Sequence, residues 1–423
     1  MSRAGLPLTG WLRRLETFSP HEIELGLERV LAVLGRMALS RPARVIHVAG
    51  TNGKGSSVEM LSSLLAAGGT TVGTYTSPHV FDYNERIRID DDAAGDEQIV
   101  AAFERVEAAR EGIALTYFEF GTLAALAVFE AHNVETAILE VGMGGRLDAV
   151  NAIDPDAALI TNVSLDHCEW LGDDIESIAF EKAGIMRPDV PVVFADRVMP
   201  ATIRQHAEEI GARLIIAGRD YVWTVNSDGN WAWRGQLHEF ASLAPPSLAG
   251  NVQIQNAAGV LALVEALGLD VLLAADVVDA ALGSVTLPGR MQLLPGEPEW
   301  LFDVAHNPAA ATALAENLGT ALTAGLVAIV GMLDDKDVEG VIAPLAGIVD
   351  RWIAVTADTP RGIEAAELAR RIANQADKAC LIAESPESAL DAAREYAGRG
   401  GRVLVTGSFY VVGPLLERLS AHN

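Results

Sequence analysis

Cysteine, positive charge and long apolar runs are all scarce in this chain. Its two cysteines, Cys168 and Cys380, lie far apart in 423 residues and form no metal-type spacing, which favours a reducing, cytoplasmic compartment. The 31 lysines and arginines face 57 aspartates and glutamates, for a net charge of −26, so neither a general nucleic-acid surface nor an anionic-membrane surface is expected. No segment approaches the ~20 apolar residues of a membrane span, and we expect no secretory leader.

The most informative segment present is residues 45–57, which read VIHVAGTNGKGSS. The apolar run predicts a buried strand, the glycines free the backbone to offer N–H groups to an anion, and Lys54 adds a positive charge. The next residues predict a helix whose N-terminus favours phosphate. Gly55 stands where the standard P-loop has a hydroxyl residue, and Ser56 comes one position later. A chance glycine-rich turn is the alternative, but the flanking strand and helix favour a phosphate loop.

The order of predicted elements before residue 200 indicates an α/β fold. Strands are predicted over 44–49, 71–75, 136–140, 157–161 and 190–194, and helices over 57–67, 96–111, 120–132 and 175–185. This alternation is typical of a mostly parallel sheet with both faces covered. Such sheets bind ligands beyond the carboxyl ends of their strands.

Two features organise the rest of the chain. Residues 221–240 are rich in aromatics around an Asp-Gly turn and predict a β-hairpin, which we place as an antiparallel edge of the sheet. Pro288-Gly289-Arg290 then marks a boundary, so we predict domains over 1–287 and 288–423. After it, strands are predicted over 300–303, 326–331, 352–355, 379–382 and 402–406, and helices over 309–318, 338–345, 362–376 and 386–397.

Several polar residues follow predicted strands and are candidates for a metal or ligand site. Ser77, in TSPH, offers an oxygen of the kind Mg²⁺ prefers, although an ordinary Ser-Pro turn is the better explanation when this motif is taken alone. Glu140 ends an apolar strand, where a carboxylate is costly unless it is paired or bound to a cation. His167, in LDHC, is a third candidate ligand, with a surface or hydrogen-bonded histidine as the alternative.

Two further motifs leave their alternatives open. Lys182 lies in the helix-like EKAGI, where a solvated helix face is the ordinary interpretation. DVAHNP at 303–308 ends a strand and begins a helix. Capping of that helix by Asp303 or Asn307 explains this motif as well as a ligand site does.

Together these segments resemble the folylpolyglutamate synthase/dihydrofolate synthase family, relatives of the Mur amino-acid ligases. The resemblance covers almost the whole chain and rests on AGTNGKGS at 49–56, TSPH at 76–79, FEF at 118–120, LEVGMGGRLDA at 139–149, LDH at 165–167, EKAGI at 181–185, PGR at 288–290 and DVAHNP at 303–308. It implies a P-loop, Mur-ligase-like ATPase domain with a mostly parallel sheet, followed by a smaller Rossmann-like glutamate-ligase domain.

The resemblance also implies a reaction. ATP phosphorylates a carboxylate of a pterin-containing acid, and the amine of L-glutamate attacks the resulting acyl phosphate to form an amide. The leading hypothesis is a bifunctional enzyme that acts on dihydropteroate and then on reduced folates. The implied cofactors are ATP and Mg²⁺, as two ions, and Lys182 resembles the family lysine that CO₂ carbamylates.

The family motifs assign roles to residues of this sequence. The residues that resemble nucleotide contacts are Asn52, Gly53, Lys54, Gly55, Ser56, Asn256, Arg290 and Asp303. Those that resemble magnesium ligands are Ser77, Glu140 and His167. The catalytic candidates are Lys54, Lys182 and His306. The residues that resemble substrate contacts are Ser408 at the glutamate end, and Pro20, His21, Glu22, Ile23, Phe118, Glu119, Phe120, Gly121, Leu147, Asp148 and Ala149 at the pterin end.

Three alternatives compete with the bifunctional hypothesis. The first is a folylpolyglutamate synthase without the dihydropteroate activity. The second is a Mur-type peptidoglycan ligase, but too few residues precede the first strand for its N-terminal domain. The third is a P-loop regulatory ATPase that turns over without glutamate. The expected partners are dihydropteroate, reduced folates and L-glutamate, with no nucleic acid or membrane, and a monomer is the default.

Overall fold

The computed structural model describes residues 5–17, 24–319 and 325–421. These residues form two compact units. The first unit comprises residues up to 163 together with 174–246 and 254–285, and the second comprises 164–173, 247–253 and the chain from 286 onward. The second unit therefore includes two short segments that lie within the predicted first domain. A single boundary at 288 does not describe this division.

The elements are numbered in chain order. The strands are β1 Arg44–Ala49, β2 Val72–Tyr75, β3 Ile87–Ile89, β4 Asp92–Ala93, β5 Thr136–Glu140, β6 Ala157–Ile160, β7 Pro191–Phe194, β8 Arg213–Ile216, β9 Val222–Val225, β10 Trp231–Arg234, β11 Glu239–Leu243, β12 Gln292–Leu294, β13 Glu299–Phe302, β14 Leu326–Val330, β15 Arg351–Ala354, β16 Cys380–Ile382 and β17 Arg402–Thr406. The helices are α1 Leu8–Leu15, α2 Glu28–Met37, α3 Lys54–Ala67, α4 Asp96–Arg110, α5 Tyr117–Ala131, α6 Cys168–Leu171, α7 Ile175–Ala183, α8 Ala201–Ile210, α9 Asn251–Ala266, α10 Ala275–Ser284, α11 Pro308–Gly319, α12 Val338–Leu345, α13 Ala365–Ala376, α14 Pro386–Ala397 and α15 Phe409–Ser420. Of the helices in the described part of the chain, none has the length and apolar character to cross a bilayer.

An eight-stranded sheet forms the centre of the first unit, in the order β4-β3-β2-β5-β1-β6-β7-β8. All neighbours from β2 through β5, β1, β6 and β7 to β8 pair in parallel. At the β4 edge, β3 pairs antiparallel with β2, and β4 pairs antiparallel with β3. Every residue of β5 and β6 is buried, and both strands are accordingly rich in apolar residues. Because β1 lies between β5 and β6, the loops after these three strands leave the sheet at one edge.

The aromatic segment forms its own sheet. Strands β9, β10 and β11 pair antiparallel in the order β11-β10-β9. The predicted hairpin is confirmed, but its placement at the edge of the main sheet is wrong, because β8 pairs with β7 there. The indole N–H groups of Trp231 and Trp233 donate to the carbonyls of Ala244 and Ala258, at 2.9 and 3.1 Å. The hairpin thus uses its tryptophans to pack inside the first unit, on α9 among other segments, and adds no strand to the main sheet.

The second unit is built on a six-stranded sheet in the order β12-β13-β17-β14-β15-β16. Strand β12 is antiparallel to β13 and the other neighbours are parallel. Successive residues of a strand point to opposite faces. Accordingly, Leu326 and Ala328 of β14 join one buried apolar cluster and Val327 and Ile329 join another. Both faces of this sheet are covered, as the predicted alternation of strands and helices requires.

Candidate active site

Loop 50–56 leaves β1 at the carboxyl edge of the first unit's sheet and is held by residues that follow β6. Thr161 Oγ1 donates to the Asn52 carbonyl at 2.6 Å. Asn162 brackets the same residue, because its Oδ1 accepts the Asn52 N–H at 3.0 Å and its Nδ2 donates to the Asn52 carbonyl at 3.0 Å. A Cβ on Gly50 would lie 1.8 Å from Thr161 Oγ1, so this close approach requires glycine. Together these contacts fix the path of the loop.

The loop turns directly into helix α3. Gly53 has φ of +83°, a conformation suited to glycine, and the helix begins at Lys54, three residues earlier than predicted. Lys54 Nζ donates to the carbonyls of Gly50 and Thr51, at 3.2 Å each. The ammonium group therefore lies over the loop, where the free N–H groups of the first helical turn also favour an anion.

Asn256 is one predicted nucleotide contact that the structure places against this loop. A Cβ on Gly53 would lie 2.6 Å from Asn256 Oδ1, so the amide of Asn256 packs directly on the loop backbone. Both Asn256 and Ser56 are buried, at 3% and 2% exposure. The first unit thus gathers the predicted nucleotide residues 52–56 and Asn256 in one place.

Glu140 and Ser77 meet beside the same loop. In the register of β1 and β5, Glu140 lies opposite Val48, two residues before the loop begins. The Glu140 carboxylate is buried, and its Oε2 accepts the backbone N–H of Ser77 at 3.3 Å. A buried carboxylate and a hydroxyl next to a phosphate loop are oxygen donors of the kind that suit Mg²⁺.

The third predicted metal ligand, His167, belongs to the second unit, where it precedes α6 with a φ of +52°. Across residues 5–17, 24–319 and 325–421, no group of three or more His, Cys, Asp and Glu side chains is arranged to hold a metal. The fit of this structure to a cation therefore rests on the contact between Ser77 and Glu140.

Lys182 lies in α7 and is buried, at 3% exposure, which removes the alternative of a solvated helix face. Its helix packs on the loop that follows β5. The Arg146 N–H donates to the Glu181 carbonyl at 2.8 Å, and the two side chains form an ion pair at 2.8 Å. A Cβ on Gly184 would lie 2.3 Å from Arg146 Cβ, so glycine is needed for this packing.

Lysine is rare in the chain, and no lysine is exposed. The four lysines are Lys54, Lys182, Lys336 and Lys378, and each is buried or half-buried. The first three occur in or beside the candidate motifs. Lys378 instead donates to two backbone carbonyls that follow α12, which is a purely structural role.

Phe118 and Asp148 are the predicted pterin-side residues that lie at the loop after β5. A Cβ on Gly142 would lie 2.6 Å from Phe118 Cζ, so the ring packs flat against the glycine loop. The Asp148 carboxylate accepts the N–H groups of Met143 and Val150, at 2.8 and 3.0 Å. Burial raises the pKa of Asp148 to about 7, against the lowering effect of these hydrogen bonds. Its neighbours Leu147 and Ala149 belong to the same loop.

Glu119 and Phe120 both make contacts within the first unit. The Glu119 carboxylate accepts the Thr116 N–H at 2.7 Å, which caps α5, and it forms an ion pair with Arg29 at 2.8 Å. Phe120 is wholly buried, and Gly121 leaves room for two tyrosine hydroxyls. The three residues therefore have a structural role, and their contact with substrate stays a prediction. The predicted contacts Pro20, His21, Glu22 and Ile23 lie outside the described residues.

In the second unit, Asp303 follows β13 and is half-buried, and its carboxylate accepts two backbone N–H groups at 2.9 Å each. Burial raises the pKa of Asp303, partly offset by the positive charge of Arg290. The Arg290 guanidinium lies 5.4 Å from the centre of the Phe409 ring, and the His306 ring lies 6.3 Å from the same ring. Ser408 is buried and caps α15. The predicted residues of the second unit thus gather around the ends of β13 and β17.

A buried cluster of charged and polar groups, here called the Asp166 cluster, joins three segments of the second unit. It consists of Asp166, His306, Asn307 and Lys336. The Asp166 carboxylate accepts from Lys336 Nζ at 2.7 Å, from Asn307 Nδ2 at 3.0 Å and from the His167 N–H at 2.9 Å, and His306 Nε2 lies at 3.6 Å. Burial would raise the pKa of Asp166, but His306, His167 and Lys336 outweigh it and hold the pKa well below its usual range.

Sequence reasoning did not single out Asp166, Lys336, Thr161 or Asn162. The available signals were weak. Lys336 lies in DDKD, a run that reads as solvated, and a threonine-asparagine pair at a strand end reads as a turn. Their roles depend on contacts between residues 100 or more positions apart, which no local pattern reports.

Most of the chain resembles known proteins. Residues 48–264 match the family model of the Mur ligase middle domain, and residues 289–409 match that of the Mur ligase glutamate ligase domain. The dihydrofolate synthase/folylpolyglutamate synthase of Escherichia coli (strain K12) is 41% identical over 423 residues, covering 100% of this chain and 97% of that relative. The chain belongs to the dihydrofolate synthase/folylpolyglutamate synthase family of Mur ligases.

Other members of this family extend the comparison. The Haemophilus influenzae enzyme of the same name is 37% identical, over 97% of each chain. The structure of Escherichia coli FolC in complex with DHPP and ADP has a TM-score of 0.94 at 39% identity and covers all of both chains. A bifunctional family structure with Mn, AMPPNP and L-glutamate bound has a TM-score of 0.91 at 37% identity, over 99% of both. The Mur-ligase-like α/β fold implied by the sequence motifs is thereby confirmed.

Proposed function

We propose that this protein is an ATP-dependent ligase that adds L-glutamate to dihydropteroate, forming dihydrofolate, and to the γ-carboxylate of reduced folates, forming folylpolyglutamates. The observation that carries the proposal is the arrangement beside β1, where Lys54 and the loop amides lie next to the Glu140–Ser77 contact. That arrangement is suited to a nucleotide's phosphates and a divalent cation. The identity of the acid and of the amine in this proposal comes from membership of the family.

The first chemical problem is the meeting of two anions, the substrate carboxylate and the γ-phosphate of ATP. Lys54 and the N–H groups at the start of α3 offset the phosphate charge and orient the phosphates. Asn162 and Thr161 hold the loop that carries these groups. The carboxylate oxygen then attacks the γ-phosphorus and ADP leaves, so that an acyl phosphate forms.

In the second step the amine of L-glutamate attacks the acyl carbon. The carbon–oxygen bond to phosphate breaks, inorganic phosphate leaves and the amine loses a proton, which gives the amide. His306 and Ser408 are the residues proposed for the glutamate end. Water has to be kept from the acyl phosphate throughout, because hydrolysis would waste it.

Ser77, Glu140 and His167 are the residues proposed to hold magnesium, and Lys182 is proposed to join them after carbamylation. A bound magnesium ion supplies positive charge that neutralises the phosphates. Carbamylation would turn a buried cation into a carboxylate-like oxygen ligand. Its support here is that Lys182 is buried in a helix that packs on the Glu140 loop.

An assay separates the bifunctional hypothesis from the family alternative. Purified protein is incubated with dihydropteroate, ATP, Mg²⁺ and L-glutamate, and dihydrofolate is measured by mass spectrometry. The same preparation receives tetrahydrofolate in a parallel reaction. We expect both amides. Product from tetrahydrofolate alone would leave a folylpolyglutamate synthase, and ATP hydrolysis without any amide would refute the ligase.

Lys182→Ala tests the carbamylated ligand. We expect ligase activity to fall by about 100-fold or more, since a cation ligand is lost, and added short carboxylates to restore part of it. In the wild-type protein, intact mass in bicarbonate should show one added CO₂ that Lys182→Ala lacks. An unchanged rate would remove Lys182 from the site.

The same proposal places the enzyme in the cytoplasm as a monomer. The compartment is supported by the two cysteines, both of which are free thiols, as a reducing environment allows. Size-exclusion chromatography with light scattering tests the monomer.

A further inference from the structure

His79 and Arg86 form a hydrogen bond at the edge of the first unit's sheet. Arg86 Nε donates to His79 Nδ1 at 2.8 Å. His79 ends the TSPH motif after β2, and Arg86 ends the short 3₁₀ turn Tyr83–Arg86. Neither residue has a role in the reaction as described so far.

The direction of this bond fixes the position of the proton on the histidine ring. A guanidinium has donors only and stays protonated in proteins, so His79 Nδ1 has to be the acceptor. The other ring nitrogen of a neutral imidazole then carries the hydrogen. His79 therefore presents an Nε2–H donor, and no group in the described parts of the chain lies within hydrogen-bond reach of it.

The guanidinium that imposes this tautomer is itself fixed. It lies 5.4 Å from the ring centres of both Tyr83 and Tyr117, at a distance where cation–π attraction operates. The Glu85 carboxylate accepts the N–H groups of residues 80–82 at 2.8 to 2.9 Å. The chain between His79 and Arg86 is thereby tied into one conformation.

His79 is linked to two parts of the proposed site. Two residues earlier, the Ser77 N–H meets the Glu140 carboxylate beside the phosphate loop. On the other side, Tyr117 shares the Arg86 guanidinium with His79 and directly precedes Phe118 at the pterin end. We therefore expect an acid bound with its pterin near Phe118 and its carboxylate near the phosphate loop to come close to His79.

We propose that His79 binds the acid substrate by donating its Nε2–H to the carboxylate that becomes phosphorylated, and that Arg86 is a positioning residue that fixes the required tautomer. This inference deepens the proposed function and rests on it. A neutral donor suits the step because the carboxylate has to attack phosphorus. A cation in the same place would bind the carboxylate more tightly in the ground state and weaken it as a nucleophile.

A pair of substitutions separates the two nitrogens of the ring. His79→Asn keeps an acceptor for Arg86 in its Oδ1 and loses the Nε2–H donor. His79→Gln places an amide N–H near the former Nε2 and loses the acceptor. We expect His79→Asn to raise KM for dihydropteroate about 10- to 100-fold, as for a lost hydrogen bond to a charged group, and His79→Gln to recover at least part of that loss.

Several readouts control this experiment. KM for ATP and for L-glutamate should change by less than about twofold in both variants, and Tm should stay at the wild-type value. An unchanged KM for dihydropteroate in His79→Asn, or an equal rise for all three substrates, would overturn the inference. Failure of the proposed function is distinct, because the wild-type protein itself would then form no amide. If His79→Asn lowers Tm, the Arg86 variants described below test the inference in its place.

Arg86 is tested by spectroscopy as well as kinetics. Nitrogen-15 NMR of the histidine rings, with His79 assigned by its loss in His79→Asn, should show protonation at Nε2 alone in the wild-type protein. In Arg86→Met we expect a mixture of tautomers and a severalfold higher KM for dihydropteroate, whereas Arg86→Lys keeps a donor and should restore both readouts in part. A single Nε2–H tautomer in Arg86→Met, or an unchanged KM, would refute the positioning role.

Discussion

Loop 50–56 in the first unit is fixed by neutral groups, whereas the Asp166 cluster in the second unit is fixed by charges. The loop depends on the hydroxyl of Thr161 and the amide of Asn162. The cluster depends on Lys336 and its partner carboxylate. Neutral anchors leave the positive charge and free N–H groups of a loop available to an anion. In the cluster, the cation of Lys336 and the carboxylate of Asp166 largely cancel each other, so this pair contributes shape and stability.

Removing the cation of the loop should have the largest effect. In Lys54→Ala we expect kcat/KM for ligation to fall about 1,000-fold, because phosphate charge is no longer offset, while Tm stays near the wild-type value. The matched control is Lys378→Ala, since Lys378 also donates to two backbone carbonyls. That control should keep its activity. Normal turnover in Lys54→Ala would contradict the phosphate role.

Breaking the charge pair of the cluster should cost stability. Lys336→Met leaves the buried Asp166 carboxylate without its closest cation, and we expect the free energy of unfolding to fall by about 3–5 kcal/mol. Urea denaturation measures this change. The exposed pair of Arg371 and Glu339 provides the contrast, because Arg371→Met should cost less than about 1 kcal/mol.

The double variant Asp166→Asn/Lys336→Met sharpens this test. Removing both charges should recover much of the loss, because an uncompensated buried carboxylate is the main penalty. Equal losses in the single and double variants would show that the pairing of the two charges is not what stabilises the cluster.

Loosening the neutral anchor should have the smallest effect. Asn162→Ala removes both hydrogen bonds to Asn52, and we expect KM for ATP to rise about 10-fold at nearly unchanged Tm, in line with one or two lost hydrogen bonds. Asn230→Ala is the control, because Asn230 also makes side-chain hydrogen bonds but in the three-stranded sheet. A KM for ATP that stays constant in Asn162→Ala would show that the loop holds its shape without this anchor.

Most of the fold could be predicted because its strands are buried on both faces. The bounds of β1, β5, β17, α12 and α14 match the sequence prediction residue for residue, since continuous apolar runs and clear helix periodicity leave little choice. Short or half-exposed elements were missed. Strand β8 shows no clear alternation of buried and exposed residues, and it was missing from the prediction.

The candidate site was predictable where one short segment carries the chemistry. Glycines indicate the phosphate loop, a carboxylate at the end of an apolar strand indicates Glu140, and the TSPH motif indicates Ser77. The Asp166–Lys336 pair could not be found in this way, because its partners are 170 positions apart. For Glu119, the motif did not reveal that the side chain also caps α5.

None of the four lysines is fully exposed, which has a practical consequence for chemistry on this enzyme. Acylating or reductively methylating reagents meet no exposed ε-amine on its surface, although the chain is rich in arginine. Slow modification under native conditions would therefore report mainly on the few lysines at the motifs. If bound nucleotide slows the modification of a lysine, mass spectrometry of the peptide that carries it would measure nucleotide occupancy with little background from other lysines.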